Sequence, residues 1–173
     1  MKKIITLGLF MVTAAAIAQS WLGNYQWSAT DAEKVTVEKA VEDGAQQVGF
    51  LVRSIARGRL KETTKPFQKL SFAMSDQTLT MVRDDDTPIT GTTDGSKIEW
   101  KRKDGKTFTV QQTLAENVLT QTFTDPEGNT RVNKHTFNET AQTMSLDITI
   151  NSSSLKTPLK YTLTYTKPEG SEK

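Results

Sequence analysis

The chain has 173 residues, with 22 Lys and Arg against 20 Asp and Glu, one histidine and no cysteine. The lack of cysteine excludes a disulfide scaffold and every thiolate chemistry, although a chain of this length can bury one hydrophobic core without such cross-links. We therefore expect a single domain.

The N-terminal segment, residues 1–18, predicts a secretory signal peptide. Two lysines precede the apolar run IITLGLFMVTAAAIA, and Ala16 and Ala18 provide the small side chains that a signal peptidase reads. We expect cleavage before Gln19 and a periplasmic or secreted product. An uncleaved membrane anchor is the competing interpretation, but it gives the A-x-A site no purpose.

Residues 19–167 form the predicted domain, and residues 168–173 form a polar tail. Cleavage removes two of the 22 basic residues and none of the 20 acidic ones, so the remainder is formally neutral. Nucleic-acid binding requires clustered basic charge on the folded domain, and we do not expect it here.

A helix is predicted soon after the first aromatic cluster. Thr30 and Glu33 have the spacing of a capping box, in which a hydroxyl and a carboxylate accept hydrogen bonds from free backbone amides at a helix start. Apolar residues then recur at helical spacing. They are Val37, Val41, Val48, Leu51, Val52 and Ile55.

Glycines divide this helical region. Gly44 and Gly49 each cost about 1 kcal/mol in a helix interior, so a break into two short helices is expected. Gly58 is placed where a left-handed residue ends a helix. The prediction is a helix-turn-helix over residues 31–57.

Beyond Pro66 the apolar period changes to two, and segments rich in Gly, Asn, Asp and Pro separate the runs, TDGS at residues 93–96 among them. The runs are PFQKLSFAM, QTLTMV, PITGT, KIEWKR, TFTVQQTL, VLTQTF, TRVNKHTF, TMSLDITI and LKYTLTYTK. With GNYQWS before the helices they make ten strands. We expect a mainly β fold, a ten-stranded antiparallel up-and-down barrel with a helical lid between strands 1 and 2. An eight-stranded lipocalin-like barrel is the alternative.

The opening stretch Trp21-Leu22-Gly23-Asn24-Tyr25 resembles the aromatic-x-Gly-x-aromatic motif of the calycins, the group of lipocalins and fatty-acid-binding proteins. In fatty-acid-binding proteins the first strand leads into a helix-turn-helix, and nine further strands complete a barrel with the helices over its mouth. The predicted elements of this chain follow the same order. The resemblance implies a cavity for a hydrophobic ligand.

A second family motif departs from the pattern. The final strand of fatty-acid-binding proteins carries Arg-x-Tyr, which holds a ligand carboxylate, whereas this chain has Leu163-Thr164-Tyr165. The phenol is kept and the arginine is replaced by leucine. Because burying an unpaired carboxylate is costly, either another cation serves or the ligand is neutral.

Two tyrosines of the final strand are candidate ligand-binding residues. Leu159, Tyr161, Leu163 and Tyr165 share one face, which we expect to point inward. Tyrosine hydroxyls in a cavity can bind a ligand head group. Tyrosines that alternate along a strand are, however, more often part of the core.

Arg131 and His135 are further candidates because they share a strand face with Phe137. Inside the barrel either could replace the missing arginine, and Arg131 is the better one because it stays charged and can form two parallel bonds to a carboxylate. The polar composition of TRVNKHT on both faces favours a solvated barrel wall instead.

Arg53 and Arg57 lie four residues apart, on one side of the predicted lid. Such cations could meet a ligand head group or anionic lipid at a portal. A plainer interpretation places them on a solvated face near a helix C-terminus, where the macrodipole favours cations. No cofactor or metal is expected, since the aspartates at 84–86 lack the spacing and glycine of a calcium loop.

The leading hypothesis is a soluble exported binding or carrier protein for a hydrophobic small molecule such as a fatty acid or related lipid, with transient contact with a membrane surface. The alternatives are a protein-interaction module of the cell envelope and a lipid isomerase or cyclase. Catalysis is poorly supported, because one histidine, no cysteine and no G-x-S-x-G leave only tyrosine and carboxylate acid–base chemistry. An outer-membrane barrel is disfavoured by the charges within KIEWKR and TRVNKHTF.

Overall fold

The structure is a computed structural model that describes residues 20–168. The signal peptide predicted for residues 1–18, and the predicted polar tail apart from Pro168, lie outside the described residues. Within the described part of the chain, no helix combines the length and apolar character needed to cross a membrane.

The fold is a ten-stranded antiparallel barrel, nearly closed, with two helices between the first two strands. The elements are β1 (Gly23–Trp27), α1 (Asp31–Gln46), a 3-10 turn (Phe50–Val52), α2 (Arg53–Thr64), β2 (Lys69–Ser75), β3 (Thr78–Arg83), β4 (Ile89–Thr92), β5 (Asp94–Lys101), β6 (Thr107–Ala115), β7 (Val118–Thr124), β8 (Thr130–Asn138), β9 (Thr143–Asn151) and β10 (Leu159–Thr166). The hydrogen-bonded order is β4-β3-β2-β1-β10-β9-β8-β7-β6-β5. The ten-stranded prediction is confirmed.

The barrel has a seam between β4 and β5, which stand at the two ends of the hydrogen-bonded order. Polar groups of β6 cross this seam. The Gln112 side chain donates from Nε2 to the carbonyl of Gly91 at 2.8 Å, and the Leu114 amide donates to the carbonyl of Thr93 at 3.2 Å. The side-chain bond thus links β6 to β4 across the seam, and the backbone bond fixes the residue between β4 and β5.

The turn predicted at residues 93–96 lies where the chain passes from β4 to β5. Gly95 has φ at +88°, and Asp94 Oδ1 accepts hydrogen bonds from Thr92 Oγ1 at 2.7 Å and from the Ser96 amide at 2.9 Å. β5 already begins at Asp94, which pairs with Thr113 of β6, and the register shifts between Asp94 and Lys97. The reversal beside the seam therefore overlaps the irregular first residues of β5.

The start of α1 forms as the capping box predicts. The Glu33 amide donates to Thr30 Oγ1 at 3.3 Å, and the Thr30 amide donates to Glu33 Oε2 at 3.3 Å. The same carboxylate accepts a hydrogen bond from Trp27 Nε1 at 3.1 Å and another from the backbone amide of Thr164. Glu33 therefore fixes the helix start to β1 and β10 together.

The predicted end of the second helix is wrong. α2 continues through Gly58, which is exposed and has open space around it, and ends at Thr64. Lys65 then has an extended backbone, with ψ at 121°. The following Pro66 accounts for this, because proline disfavours a helical conformation in the residue before it.

The predicted apolar face holds only for the first helix. Val37 and Val41 of α1 are buried, whereas Leu51, Val52 and Ile55 are 90%, 51% and 60% exposed. The chain leaves the helix after residue 46 and re-enters it through the 3-10 turn, so one helical period does not carry across the break. Apolar side chains at the junction face solvent as a result.

Aromatic side chains fill the barrel end that lies away from the helices. Trp21 stacks on Phe137 with ring centroids 4.4 Å apart, and Tyr25 and Phe72 meet edge to face at 5.9 Å. The Tyr25 hydroxyl donates to the carbonyl of Trp21 at 2.7 Å. Gly23 between them has φ at +120°, which suits a residue without Cβ. The opening aromatic motif thus closes one end of the barrel.

Candidate functional site

A cavity of about 1120 Å³ lies at the helix-covered end of the barrel. It is bounded by α2, by the segment after that helix and by the turns that follow β3, β5 and β7. Its apolar lining consists of Phe67, Trp100, Phe108, Phe123 and Ile150, and its basic lining of Arg59, Arg83, Arg102, Lys106 and Arg131. An apolar wall beside a group of cations suits a ligand that is part hydrocarbon and part anion.

Arg83 is the most unusual residue of this cavity. It follows Leu79 and Met81 on the inward face of β3 and is only 5% exposed. Its guanidinium carbon lies 4.6, 4.5 and 5.1 Å from the ring centroids of Phe67, Trp100 and Phe123. Aromatic faces attract a guanidinium, so the three rings form a cage around the cation.

The charge of Arg83 is incompletely balanced. Its Nη2 donates to Asp86 Oδ2 at a long 3.3 Å, and its buried Nε has no hydrogen-bond partner in residues 20–168. Burial, followed by the positive charges of Arg131 and Arg102, lowers the pKa of Arg83 to about 10 against the opposing effect of Asp86. Arg83 remains a cation at neutral pH and retains an unused donor.

Arg131, a predicted ligand-binding residue, lines the same cavity from β8. Its Nε donates to Asn133 Oδ1 at 2.9 Å, and its Nη1 donates to the carbonyl of Thr63, in the last turn of α2, at 2.9 Å. Within the described residues no carboxylate lies within salt-bridge distance of it. The predicted role of Arg131 in ligand binding stays a prediction.

His135 is fully buried, away from the cavity lining, so the solvated wall favoured for this strand is wrong for it and for Asn133. Its Nε2 lies 3.2 Å from Gln121 Oε1, Gln121 Nε2 donates to Gln112 Oε1 at 3.0 Å, and Gln112 donates onward to Gly91. Burial and the nearby arginines lower the pKa of His135 to about 3. His135 is therefore a neutral donor that starts a buried polar chain to the seam.

Tyr161 and Tyr165 point inward with Leu159 and Leu163, as predicted from their alternation. Their hydroxyls are already used, since Tyr165 donates to the carbonyl of Phe67 at 3.0 Å and Tyr161 to that of Thr64 at 3.4 Å. Burial raises the pKa of both phenols. Tyr161 thus holds the last residue of α2 and Tyr165 the segment after it, and their contact with a ligand stays a prediction.

Arg53 and Arg57 lie outside the cavity lining. Arg57 forms two hydrogen bonds with Glu42 of α1, at 2.8 and 2.9 Å, and so joins the two helices. Arg53 begins α2. Since α2 ends only at Thr64, neither arginine occupies the helix C-terminus that the plainer interpretation assumed. Their predicted portal role stays a prediction.

Sequence reasoning missed Arg83 and its cage. A signal was present, because TLTMVR places Leu79, Met81 and Arg83 on one strand face, and the first two are plainly apolar. The cage itself joins residues from β3, β5, β7 and the segment before β2. Only the closed barrel brings these four parts of the chain together.

The cavity does not extend as an open space through the whole barrel. Phe72, Phe137, Leu146 and Leu163 are at most 2% exposed, so side chains fill the interior beyond the cavity. An internal pocket enclosed by the meander was expected, and the structure instead places an open cavity at the mouth.

Comparison with solved structures matches nearly the whole described barrel. A fatty-acid-binding protein of Schistosoma mansoni in complex with arachidonic acid is 20% identical, with a TM-score of 0.53 over 87% of this chain and 98% of that one. The fold is that of the fatty-acid-binding proteins. Ligand-free lipid-binding protein 8 of Caenorhabditis elegans shares this fold at 10% identity, with a TM-score of 0.54 over 87% of this chain and 97% of that one.

The fatty-acid-binding-protein fold also occurs in an enzyme. A luciferase domain from the dinoflagellate Lingulodinium polyedrum matches at 10% identity, with a TM-score of 0.51 over 84% of this chain and 41% of that one. No family model and no curated protein sequence matches the chain. At these identities the similarity shows the fold alone, so the function must be argued from the cavity.

Proposed function

We propose that this protein is an exported carrier that binds a hydrophobic small molecule, such as a fatty acid or related lipid, in the cavity at the helix-covered end. The observation that carries the proposal is the cavity of about 1120 Å³ with five apolar lining side chains, in a fold shared with fatty-acid-binding proteins. Each methylene removed from water contributes about 0.8 kcal/mol, so roughly ten buried methylenes contribute ~8 kcal/mol before ordering costs. That is sufficient for binding at micromolar concentrations.

Binding fits the residues of the cavity better than catalysis does. The single histidine is buried away from the lining, and its lowered pKa keeps it neutral. The inward tyrosines donate to backbone carbonyls and have raised pKa values, so they are poor proton donors and acceptors at neutral pH. General acid–base work needs a group whose pKa lies near the operating pH.

The lid offers a surface for transient membrane contact, which is part of the proposed carrier function. Phe50 and Leu51 are 81% and 90% exposed, and Val52, Ile55 and Val35 are also exposed. Apolar side chains with basic neighbours suit the boundary of an anionic bilayer. We expect co-sedimentation with phosphatidylglycerol vesicles to weaken several-fold in Leu51→Glu and to be unchanged in the outward-facing Lys160→Glu on β10. Equal binding by both variants would contradict this role.

Trp100 makes the main proposal testable by fluorescence because it lines the cavity, whereas Trp21 lies at the closed end and Trp27 bonds to Glu33. Titration with dodecanoate should change the tryptophan emission, and Trp100→Phe should remove most of that change. Native mass spectrometry of protein from its own host should show a bound lipid. Protein that carries no lipid and gives no response to dodecanoate or to an apolar probe would refute the proposal.

Export is tested separately. N-terminal sequencing of protein from the native host should begin at Gln19. An intact N-terminus in a cytoplasmic fraction would reject export and leave the binding proposal standing.

A further inference from the structure

Arg83, surrounded by three aromatic rings in the cavity, lacks a full set of hydrogen-bond acceptors. Arg83 has one acidic partner at 3.3 Å, a buried Nε without a partner in the described residues, and the charges of Arg131 and Arg102 nearby. A buried charge usually has close, well-formed pairing. The three rings stabilise the guanidinium without accepting its hydrogen bonds, so at least one donor of Arg83 is left for a further acceptor.

We propose that Arg83 and Arg131 together bind the oxyanion head group of the carried ligand, which makes that ligand an amphiphile ending in a carboxylate or a phosphate monoester. This inference rests on the proposed carrier function and adds the head-group chemistry and its site. Both arginines line the cavity, one from β3 and one from β8. Guanidinium groups suit both head groups, because their fork of donors matches two oxygens.

The other charged groups around the cavity are less available to a ligand. Arg102 is paired with Asp104. Asp125 accepts hydrogen bonds from the backbone amides of Glu127 and Asn129, at 2.9 and 2.8 Å, and so stabilises its own turn. Arg59, Glu62, Lys106 and Glu127 complete the charged lining. All four are more exposed than Arg83, so water screens them better.

This site differs from the one that the resemblance implied. The position of the family arginine is occupied by Leu163, which is 1% exposed and pairs with Leu146 on the neighbouring strand. Tyr165, the remaining member of that motif, donates to the carbonyl of Phe67. In this chain the cations therefore lie in the cavity at the barrel mouth instead of on the last strand. We expect the ligand head group near α2.

The first test needs no variant. Isothermal titration of the full mature chain compares dodecanoate, dodecyl phosphate and methyl dodecanoate, which share one hydrocarbon chain. We expect at least one of the two anions to bind about tenfold or more tightly than the neutral ester. The tighter anion identifies the head-group class. Equal affinity of all three ligands overturns the inference and leaves the carrier function intact, whereas no binding of any of them overturns both.

The second test locates the site. Arg83→Met and Arg131→Met should each reduce the preference for the anion by about tenfold and leave the affinity for methyl dodecanoate within about threefold. Arg53→Met, on α2 outside the lining, is the matched control and should keep the full preference. If either cavity variant is too unstable to titrate, the other decides. An anion preference that survives in both, or is lost equally in the control, places the head group elsewhere.

Discussion

Arg131 of β8 donates from Nη1 to the carbonyl of Thr63 in α2 at 2.9 Å, across 68 residues of sequence. The last carbonyls of a helix have no partners within the helix, so this bond satisfies one of them while attaching the lid to the barrel. The same guanidinium lines the ligand cavity. The side chain that holds the lid in position, Arg131, is therefore also one that a ligand in the cavity would meet.

Arg131→Leu should loosen the end of α2 without unfolding the barrel. Loss of one hydrogen bond to a carbonyl is worth about 1 kcal/mol, which corresponds to ~5-fold faster amide exchange in the last turn of the helix. The global loss of stability also includes the bond from Arg131 Nε to the buried Asn133 Oδ1, and relief of Arg83 from a repelling charge offsets part of it. Hydrogen exchange measured by mass spectrometry checks this. Unchanged exchange in residues 60–65, or equal acceleration in Arg53→Leu, would contradict the attachment.

Two helical glycines should respond differently to alanine. Gly58 has open space around it, so Gly58→Ala should raise the free energy of unfolding by about 0.5–1 kcal/mol through better helix propensity. A Cβ on Gly44 would come within 2.9 Å of Leu60 Cδ1 and 3.0 Å of Leu159 Cδ1. The clash of the new Cβ with these leucines should cancel the helix-propensity gain in Gly44→Ala. Urea denaturation measures the free energy of unfolding of both variants. An equal gain at both positions would show that α1 packs more loosely than the structure has it.

Stability should fall on mild acidification because of His135. Its pKa is lowered from 6.5 to about 3 in the folded protein, so the unfolded chain takes up the proton first as the pH drops below 6.5. The free energy of unfolding therefore falls by about 2 kcal/mol near pH 5, before most carboxylates titrate. In His135→Gln this pH dependence should disappear, whatever the stability at pH 7. Parallel pH profiles of unfolding free energy in the two proteins would show that His135 is accessible to protons.

Leu163→Arg should not restore a carboxylate clamp. The new guanidinium would lie in the filled barrel interior, beside Leu146, and an unpaired buried charge costs about 3–5 kcal/mol. Leu163→Met, the volume-conserving control, should cost less than about 1.5 kcal/mol. Thermal and urea unfolding compare the two variants. A stable Leu163→Arg protein with stronger dodecanoate binding would mean that the barrel opens to its full depth.

The order of elements was readable because it rests on local rules. Thr30 and Glu33 mark the helix start through bonds within one turn, and alternation marks the inward face of β10 as Leu159, Tyr161, Leu163 and Tyr165. Errors appeared where local rules compete. Gly58 resembled a helix end, yet α2 continues to Thr64 and the following Pro66 determines its end.

The sequence by itself determined ten strands, two helices in their places and the missing arginine at Leu163, since periodicity, capping and motif spacing act over a few residues. Only the tertiary structure decided that His135 is a buried neutral donor, that Arg57 joins the helices, and that Arg83 lies among Phe67, Trp100 and Phe123. These are contacts between residues distant in the chain. Their energies depend on burial and neighbouring charge, which exist only once the barrel has closed.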